Sequence, residues 1–166
     1  LKKGRRIEDL EQFALNDSMT GFYNRNAYDY FIYNEKNIKN YMVVTFDLNN
    51  LKMCNDNYGH SSGDAYIIHS AHIIETTFDR FGKCYRIGGD EFCCLIPDAA
   101  EFQIERFIQK MQQDIAILNN KNIIPTEVGI ACGYALATPD DADIEKVRER
   151  ADEMMYHNKK VLKGLI

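Results

Sequence analysis

Two glycines and two acids stand together in Ile87-Gly88-Gly89-Asp90-Glu91-Phe92, and a further acid, Asp47, follows the apolar run Tyr41-Met42-Val43-Val44-Thr45-Phe46. Segments 83–87 and 92–96 read as strands, so the spacing predicts a β-hairpin with Gly88 and Gly89 in its turn. Glycine there accepts positive φ without steric cost and leaves room for a ligand to approach the backbone. The same residues also serve as a plain tight turn kept soluble by its acids. Asp47 ends the strand read at 41–46; if the two strands are neighbours in one sheet, Asp47 and Asp90 converge at one edge. Converging carboxylates make a hard-cation site. Magnesium prefers octahedral oxygen coordination and takes one or two carboxylates together with phosphate oxygens, so Asp47, the Leu48 carbonyl and Asp90 suffice. Such a centre holds two ions roughly 3.5 to 4 Å apart, one activating a hydroxyl and one neutralising leaving phosphates. Standing alone, Asp47 reads as a turn former that bonds its own backbone.

The elements that must position these acids follow from periodicity. Ile67, Ala71, Ile74, Phe78 and Phe81 recur at steps of four and three, which predicts a helix starting near Asp64. A second amphipathic helix carries Ile104, Phe107, Ile108, Met111, Ile115 and Leu118 on its inner face. A strand is expected over 127–135, with Gly129 and Gly133 marking a bulge. A third helix, with Ile144, Val147, Ala151 and Met154 inward, is expected to run to about Lys160. The order strand, helix, hairpin, helix, strand, helix predicts a layered α+β domain with helices on a largely antiparallel sheet.

A chain of 166 residues that is 45% hydrophobic buries one sizeable core, which predicts a single globular domain. Its net charge of -5 argues against a nucleic-acid polymer or an anionic membrane as partner, because such surfaces need a basic excess. An anionic ligand must be met by local lysines, metal ions and backbone amides. No run of about 18 apolar residues is present, and no leader resembles a signal peptide. Cys54, Cys84, Cys93, Cys94 and Cys132 lack zinc-site spacing and read as small core residues of a reduced, cytoplasmic protein. A first residue of Leu1 in place of methionine predicts a piece of a longer protein. Residues 1–16 read as a connecting helix with Ile7, Leu10 and Ala14 on one face.

The pentapeptide Gly88-Gly89-Asp90-Glu91-Phe92 is the signature of the GGDEF family, and the chain resembles the diguanylate cyclase catalytic domain over residues 17–163. A second long match runs from Asp47 through Asn49-Asn50-Leu51-Lys52 and Asn55-Asp56 to Gly59-His60 and Gly63-Asp64, where the family has Asn-Asp-x-x-Gly-His-x-x-Gly-Asp. A third is Asp17-Ser18-Met19-Thr20-Gly21-Phe22-Tyr23-Asn24-Arg25, an architectural turn joining linker to domain, with Arg25 as a salt-bridge or cap partner. A fourth covers residues 151–160, where Lys159 matches a phosphate-binding lysine. Leu162 and Lys163 stand where the family has Gly-Arg; lysine still acts as a point charge but lacks the bidentate fork. Where many members carry an inhibitory Arg-x-x-Asp, this chain has Asp79-Arg80-Phe81-Gly82, so the resemblance implies no such inhibitory site.

The resemblance implies a five-stranded mixed sheet with a ferredoxin-like core, similar to polymerase palms and adenylyl cyclases. It implies a linker helix at 1–16 from an upstream sensory module and the catalytic domain at 17–166. Asp47, Leu48 and Asp90 would bind Mg2+, with Mn2+ as a substitute. The amides near Asn50 and Leu51, together with Lys52, Lys159 and Lys163, would hold phosphate, with Gly88 and Gly89 leaving the ligand room. Asn55 and Asp64 would recognise guanine, whose N1-H and N2-H donors suit a carboxylate. Alone, Asp64 reads as an N-terminal helix stabiliser, and His60 reads as a turn residue. Catalysis would fall to Asp90, Lys52 and Glu91, the last as general base unless a metal-activated hydroxyl makes one unnecessary. The implied reaction joins two GTP into cyclic di-GMP across a homodimer. Two other readings remain: a silent GTP-binding module that regulates a partner domain, and an enzyme making another cyclic dinucleotide. No P-loop or Gly-x-Gly-x-x-Gly motif is present.

Overall fold

A computed structural model describes residues 14–165. The apolar run expected as a strand forms β1, Met42–Leu48, and all seven of its residues are buried. It lies at the centre of a sheet whose other strands are β2 (Lys83–Arg86), β3 (Glu91–Ile96) and β4 (Ile130–Leu136), in the order β2-β3-β1-β4. Every ladder is antiparallel. Four strands are present among the described residues, against the five expected; the free side of β2 meets only an isolated parallel bridge between Tyr23 and Tyr85.

Alternation along β1 sends Met42, Val44, Phe46 and Leu48 to one face of the sheet and Val43, Thr45 and Asp47 to the other. The first set packs in one core with helices α2 (Leu51–Tyr58), α3 (His60–Phe78) and α4 (Ile104–Asn120). Val43 packs in a second core with α1 (Arg25–Asn34) and α5 (Ile144–Leu162). The sheet is therefore covered on both faces, which explains why its strands read as near-continuous apolar runs.

The inner stripes of α3 and α4 follow the predicted period, with Ile67, Ala71, Ile74, Phe78, Ile104, Met111, Ile115 and Leu118 buried and Phe107 and Ile108 partly so, whereas Phe81 lies beyond the end of α3 and packs partly buried against the same core. In α5, Met155 is buried while Met154 is 41% exposed, contrary to the expected stripe. A 3.6-residue period brings position 155 closer to the line through Ile144, Val147 and Ala151. The helix α3 begins at His60, four residues before the expected start. Gly133 is not a bulge: it pairs in register with Thr45. A Cβ there would collide with Ala151 O and Met155 N and lie 2.9 Å from Met155 Cα, so glycine at 133 lets α5 lie directly on the strand. The strand expected from 127 starts only at Ile130, because Val128 and Gly129 spend their backbone groups elsewhere. Asn119 bonds both backbone groups of Val128, and Gly129 N donates to Tyr66 Oη.

The helix expected over 1–16 lies outside the described residues except at its end, where Ala14 and Leu15 are helical. All five cysteines are buried free thiols. No helix among the described residues is long and apolar enough to cross a membrane.

Candidate active site

Asp47 sits inside β1, not after it, and faces Glu91 directly across the β1–β3 ladder. Leu48 N donates to Asp90 O at 3.0 Å, tying the hairpin loop to the end of β1. Asp47, Asp90 and Glu91 each place a carboxylate oxygen within 4.8 Å of the other two. Neighbouring strands therefore bring the expected pair together and add Glu91 to it. Burial pushes the Asp47 carboxyl above its ordinary range; the hydrogen bond from Lys159 opposes this and the charge of Asp90 adds to it. Burial also raises Glu91, reinforced by Asp47, Asp90 and Asp152. Crowded, half-dehydrated carboxylates resist sharing full negative charge, and a hard divalent cation relieves that repulsion. The donor set is all oxygen, which suits magnesium or manganese.

Beside the acids lies a cleft of about 520 Å³ lined by Leu48, Asn50, Leu51, Lys52, Asp90, Lys159 and Lys163, among others. Asn50 holds φ 58 and its side chain makes no cap bond, so the first amides of α2 are left uncapped at the cleft wall. Uncapped amides at a helix N-terminus suit phosphate. Lys159 Nζ lies 3.0 Å from Asp47 Oδ1, and Lys163 caps the C-terminal end of α5. Asn55 and Asp64 do not line this cleft. They flank the joint between α2 and α3, where the Asn55 amide covers Gly63 so closely that a Cβ at 63 would lie 2.6 Å from Asn55 Cγ.

The two hairpin glycines differ from expectation, since neither has positive φ. The loop between β2 and β3 spans four residues, 87–90, and Ile87 N and Gly88 N both donate to Glu91 O, so a left-handed turn is not needed. Room remains the reason for glycine: a Cβ at Gly88 would lie 3.3 Å from Glu91 Oε2, whereas Gly89 faces open space.

The family model described as "Diguanylate cyclase, GGDEF domain" matches residues 14–163. This chain belongs to the GGDEF family. The domain is 31% identical over 156 residues to the diguanylate cyclase DgcN of Escherichia coli K12, covering 90% of this chain and 38% of DgcN. It is 26% identical over 168 residues to the diguanylate cyclase DgcS of Shewanella oneidensis, covering 96% of this chain and 54% of DgcS. The chain thus spans well under two thirds of either relative. Its fold is similar to the crystal structure of the coiled coil and GGDEF domain of DgcB from Caulobacter crescentus in complex with c-di-GMP. That likeness has a TM-score of 0.83 at 22% identity and covers 96% of this chain and 87% of that one.

Several residues that brace the GGDEF site carry no signal in the sequence. Tyr66, fully buried on α3, donates to Asn49 O at 2.6 Å and accepts from Gly129 N at 2.9 Å, which fixes the loop after β1. Arg86 donates through Nη2 to Gly89 O at 2.9 Å and through Nη1 to Asp17 at 3.2 Å. The turn at Asp17, expected to be architectural, therefore also braces the loop that carries Asp90. Arg25 pairs with Asp29 at 2.9 Å, as its reading as a salt-bridge partner expects. On α5, Asp152 contributes negative charge beside Glu91 and Asp47, and its own carboxyl is raised by burial.

Proposed function

We propose that this GGDEF domain makes cyclic di-GMP from two GTP, each held by one copy of a homodimer whose half-sites meet face to face. Each 3'-hydroxyl attacks the α-phosphorus of the opposing nucleotide: the new 3'-O–P bond forms, the bond to the β-phosphate oxygen breaks, and pyrophosphate leaves with the electron pair. Two such steps close the ring and release two pyrophosphates.

Asp47, the Leu48 carbonyl and Asp90 would hold two Mg2+ ions per half-site, with Mn2+ as a substitute, and the bound ions would activate the hydroxyl and neutralise the leaving phosphates. The chain's own residues do the rest. Glu91, whose carboxyl burial raises, accepts the hydroxyl proton at its carboxylate. Lys52, Lys159 and Lys163 hold the triphosphate with the amides near Asn50 and Leu51, Lys163 as a point charge. Gly89 leaves the nucleotide a bare approach. Asn55 and Asp64 select guanine, since a carboxylate left unpaired against adenine costs about 1–3 kcal/mol. A weakly associating domain needs help to pair its half-sites, so we assign residues 1–16 to a linker from an upstream sensory module that raises their effective concentration. The domain works in the cytoplasm and touches neither membrane nor nucleic-acid polymer.

The observation that carries this reading is the convergence of Asp47, Asp90 and Glu91 beside a lysine-lined cleft. Its test is turnover of GTP by the concentrated domain with Mg2+, followed by chromatography and pyrophosphate release. Cyclic di-GMP with pyrophosphate is expected, with ATP left unused. GTP binding without pyrophosphate release would instead identify a silent module, and equal use of ATP would defeat the assignment of Asn55 and Asp64.

A further inference from the structure

The three carboxylates of the site carry a cation of their own. Among the described residues, Lys159 is the one base within ion-pair distance of Asp47, Asp90 or Glu91, and it holds Asp47 alone, Nζ to Oδ1 at 3.0 Å. The side chain of Asp47 is only 6% exposed and that of Lys159 24%, so this pair is far less screened than one on the surface. Lys159 also lines the cleft with Lys52 and Lys163. One ammonium thus has a metal-site acid on one side and the phosphate cleft on the other.

We propose that Lys159 is the exchangeable counter-ion of the metal centre: it neutralises Asp47 while nucleotide is absent and transfers to the triphosphate when nucleotide arrives. Divalent cation and nucleotide then enter as a coupled pair. The proposal rests on the metal and GTP reading above and adds a binding order to it.

The fold permits the exchange. The backbone of α5 is fixed next to Lys159, because Met155 is buried and Asn158 Oδ1 accepts from Cys132 N at 3.0 Å. Only the lysine's flexible four-carbon stem needs to move, and its compact ammonium bonds a carboxylate or a phosphate oxygen equally well. While it sits on Asp47, an arriving divalent ion must displace it or bear its repulsion at short range. A triphosphate removes that obstacle by drawing the ammonium away. By linkage, the factor by which nucleotide strengthens metal binding equals the factor by which metal strengthens nucleotide binding.

The test uses Mn2+ alone, counted as free ion by electron paramagnetic resonance, with the nucleotide-free domain and its Lys159→Met and Lys159→Arg variants. Lys159→Met should bind Mn2+ about tenfold more tightly than the unaltered domain or better, and Lys159→Arg should stay within about twofold of it. Equal or weaker binding by Lys159→Met overturns the counter-ion role while leaving the metal centre intact. No Mn2+ binding by any of the three overturns the metal centre and this proposal together. If circular dichroism shows Lys159→Met to be unfolded, crystals of the unaltered domain soaked in Mn2+ without nucleotide decide the matter. An ion seated on Asp47 with Lys159 still bonded to that carboxylate overturns the exchange, and an ion seated there with Lys159 swung into the cleft supports it.

Discussion

Replacing Gly133 by alanine tests how the fold delivers α5 to the site. The new Cβ would overlap Ala151 O and Met155 N and come 2.9 Å from Met155 Cα, all of them backbone atoms with no rotamer to give. Ordinary contacts of a carbon need about 3.5 Å, and the overlaps with Ala151 O and Met155 N are the deepest, so the helix must retreat from β4 by about an ångström. The same helix buries Ile144, Val147, Ala151 and Met155 against the sheet, so a retreat loosens a whole stripe. Overpacking of this kind costs about 3 kcal/mol, toward the upper end of the usual range because no side chain can absorb it. For a domain of this size that lowers Tm by roughly 6–12 °C. The displacement also shifts Lys159 within the wall of the cleft, away from where it would meet the triphosphate, and misplacement on this scale should cost roughly ten- to a hundredfold in GTP turnover. Differential scanning calorimetry and a turnover assay below the melting range read the two effects. Gly89→Ala is the stability control, because nothing lies within 4 Å of a Cβ there and its Tm should not move. A Gly133→Ala domain melting within about 2 °C of the unaltered one would refute the close approach of helix and strand.

Other outcomes follow from the same contacts. Tyr66→Phe strips Asn49 O and Gly129 N of a buried partner and should cost about 1–3 kcal/mol in urea unfolding; an unchanged midpoint would mean that the loop after β1 is held otherwise. Asp90→Asn should weaken Mn2+ binding at least about tenfold while leaving Tm unchanged or slightly raised, since it removes one of three crowded charges; retained binding in titration calorimetry would contradict that. Burial alone would raise the Asp17 carboxyl, but two hydrogen bonds from Thr20 and the Arg86 charge outweigh it and hold it below the ordinary 3.8. A carboxyl lowered on folding stabilises the fold above its unfolded pKa and loses that contribution as pH falls through the folded one. Asp17→Asn should therefore cost about 1–2 kcal/mol near neutral pH, with the gap from the unaltered domain closing below pH 4; a gap independent of pH would mean that the Asp17 charge does not contribute to stability.

How much of this was legible in the sequence depended on periodicity. The strand through Val43 and Val44, the hairpin, and the helices with Ile74 and Met111 at their centres all announced themselves through apolar spacing. The helices α1 and α2 did not, because Arg25–Asn34 buries only Ala27 and Tyr28, and Leu51–Tyr58 only Leu51 and Cys54. Too few inward positions were available to set a period. The meeting of Asp47 with Asp90 follows wherever the two strands are neighbours, as they are here. The register placing Glu91 opposite Asp47 did not follow, because strand pairing is a long-range choice. Tyr66, Arg86 and the Lys159–Asp47 pair were likewise invisible, being contacts between residues 63, 69 and 112 positions apart in sequence. The motif at residues 151–160 marked Lys159 as a phosphate ligand without revealing the acid it holds.

The most direct test of the metal centre is anomalous scattering from a crystal of the domain grown with Mn2+ and a non-reacting GTP analogue. Manganese peaks are expected between Asp47, the Leu48 carbonyl and Asp90, with the triphosphate over the N-terminus of α2. Peaks elsewhere, or a triphosphate seated away from Lys52 and Lys159, would contradict that placement.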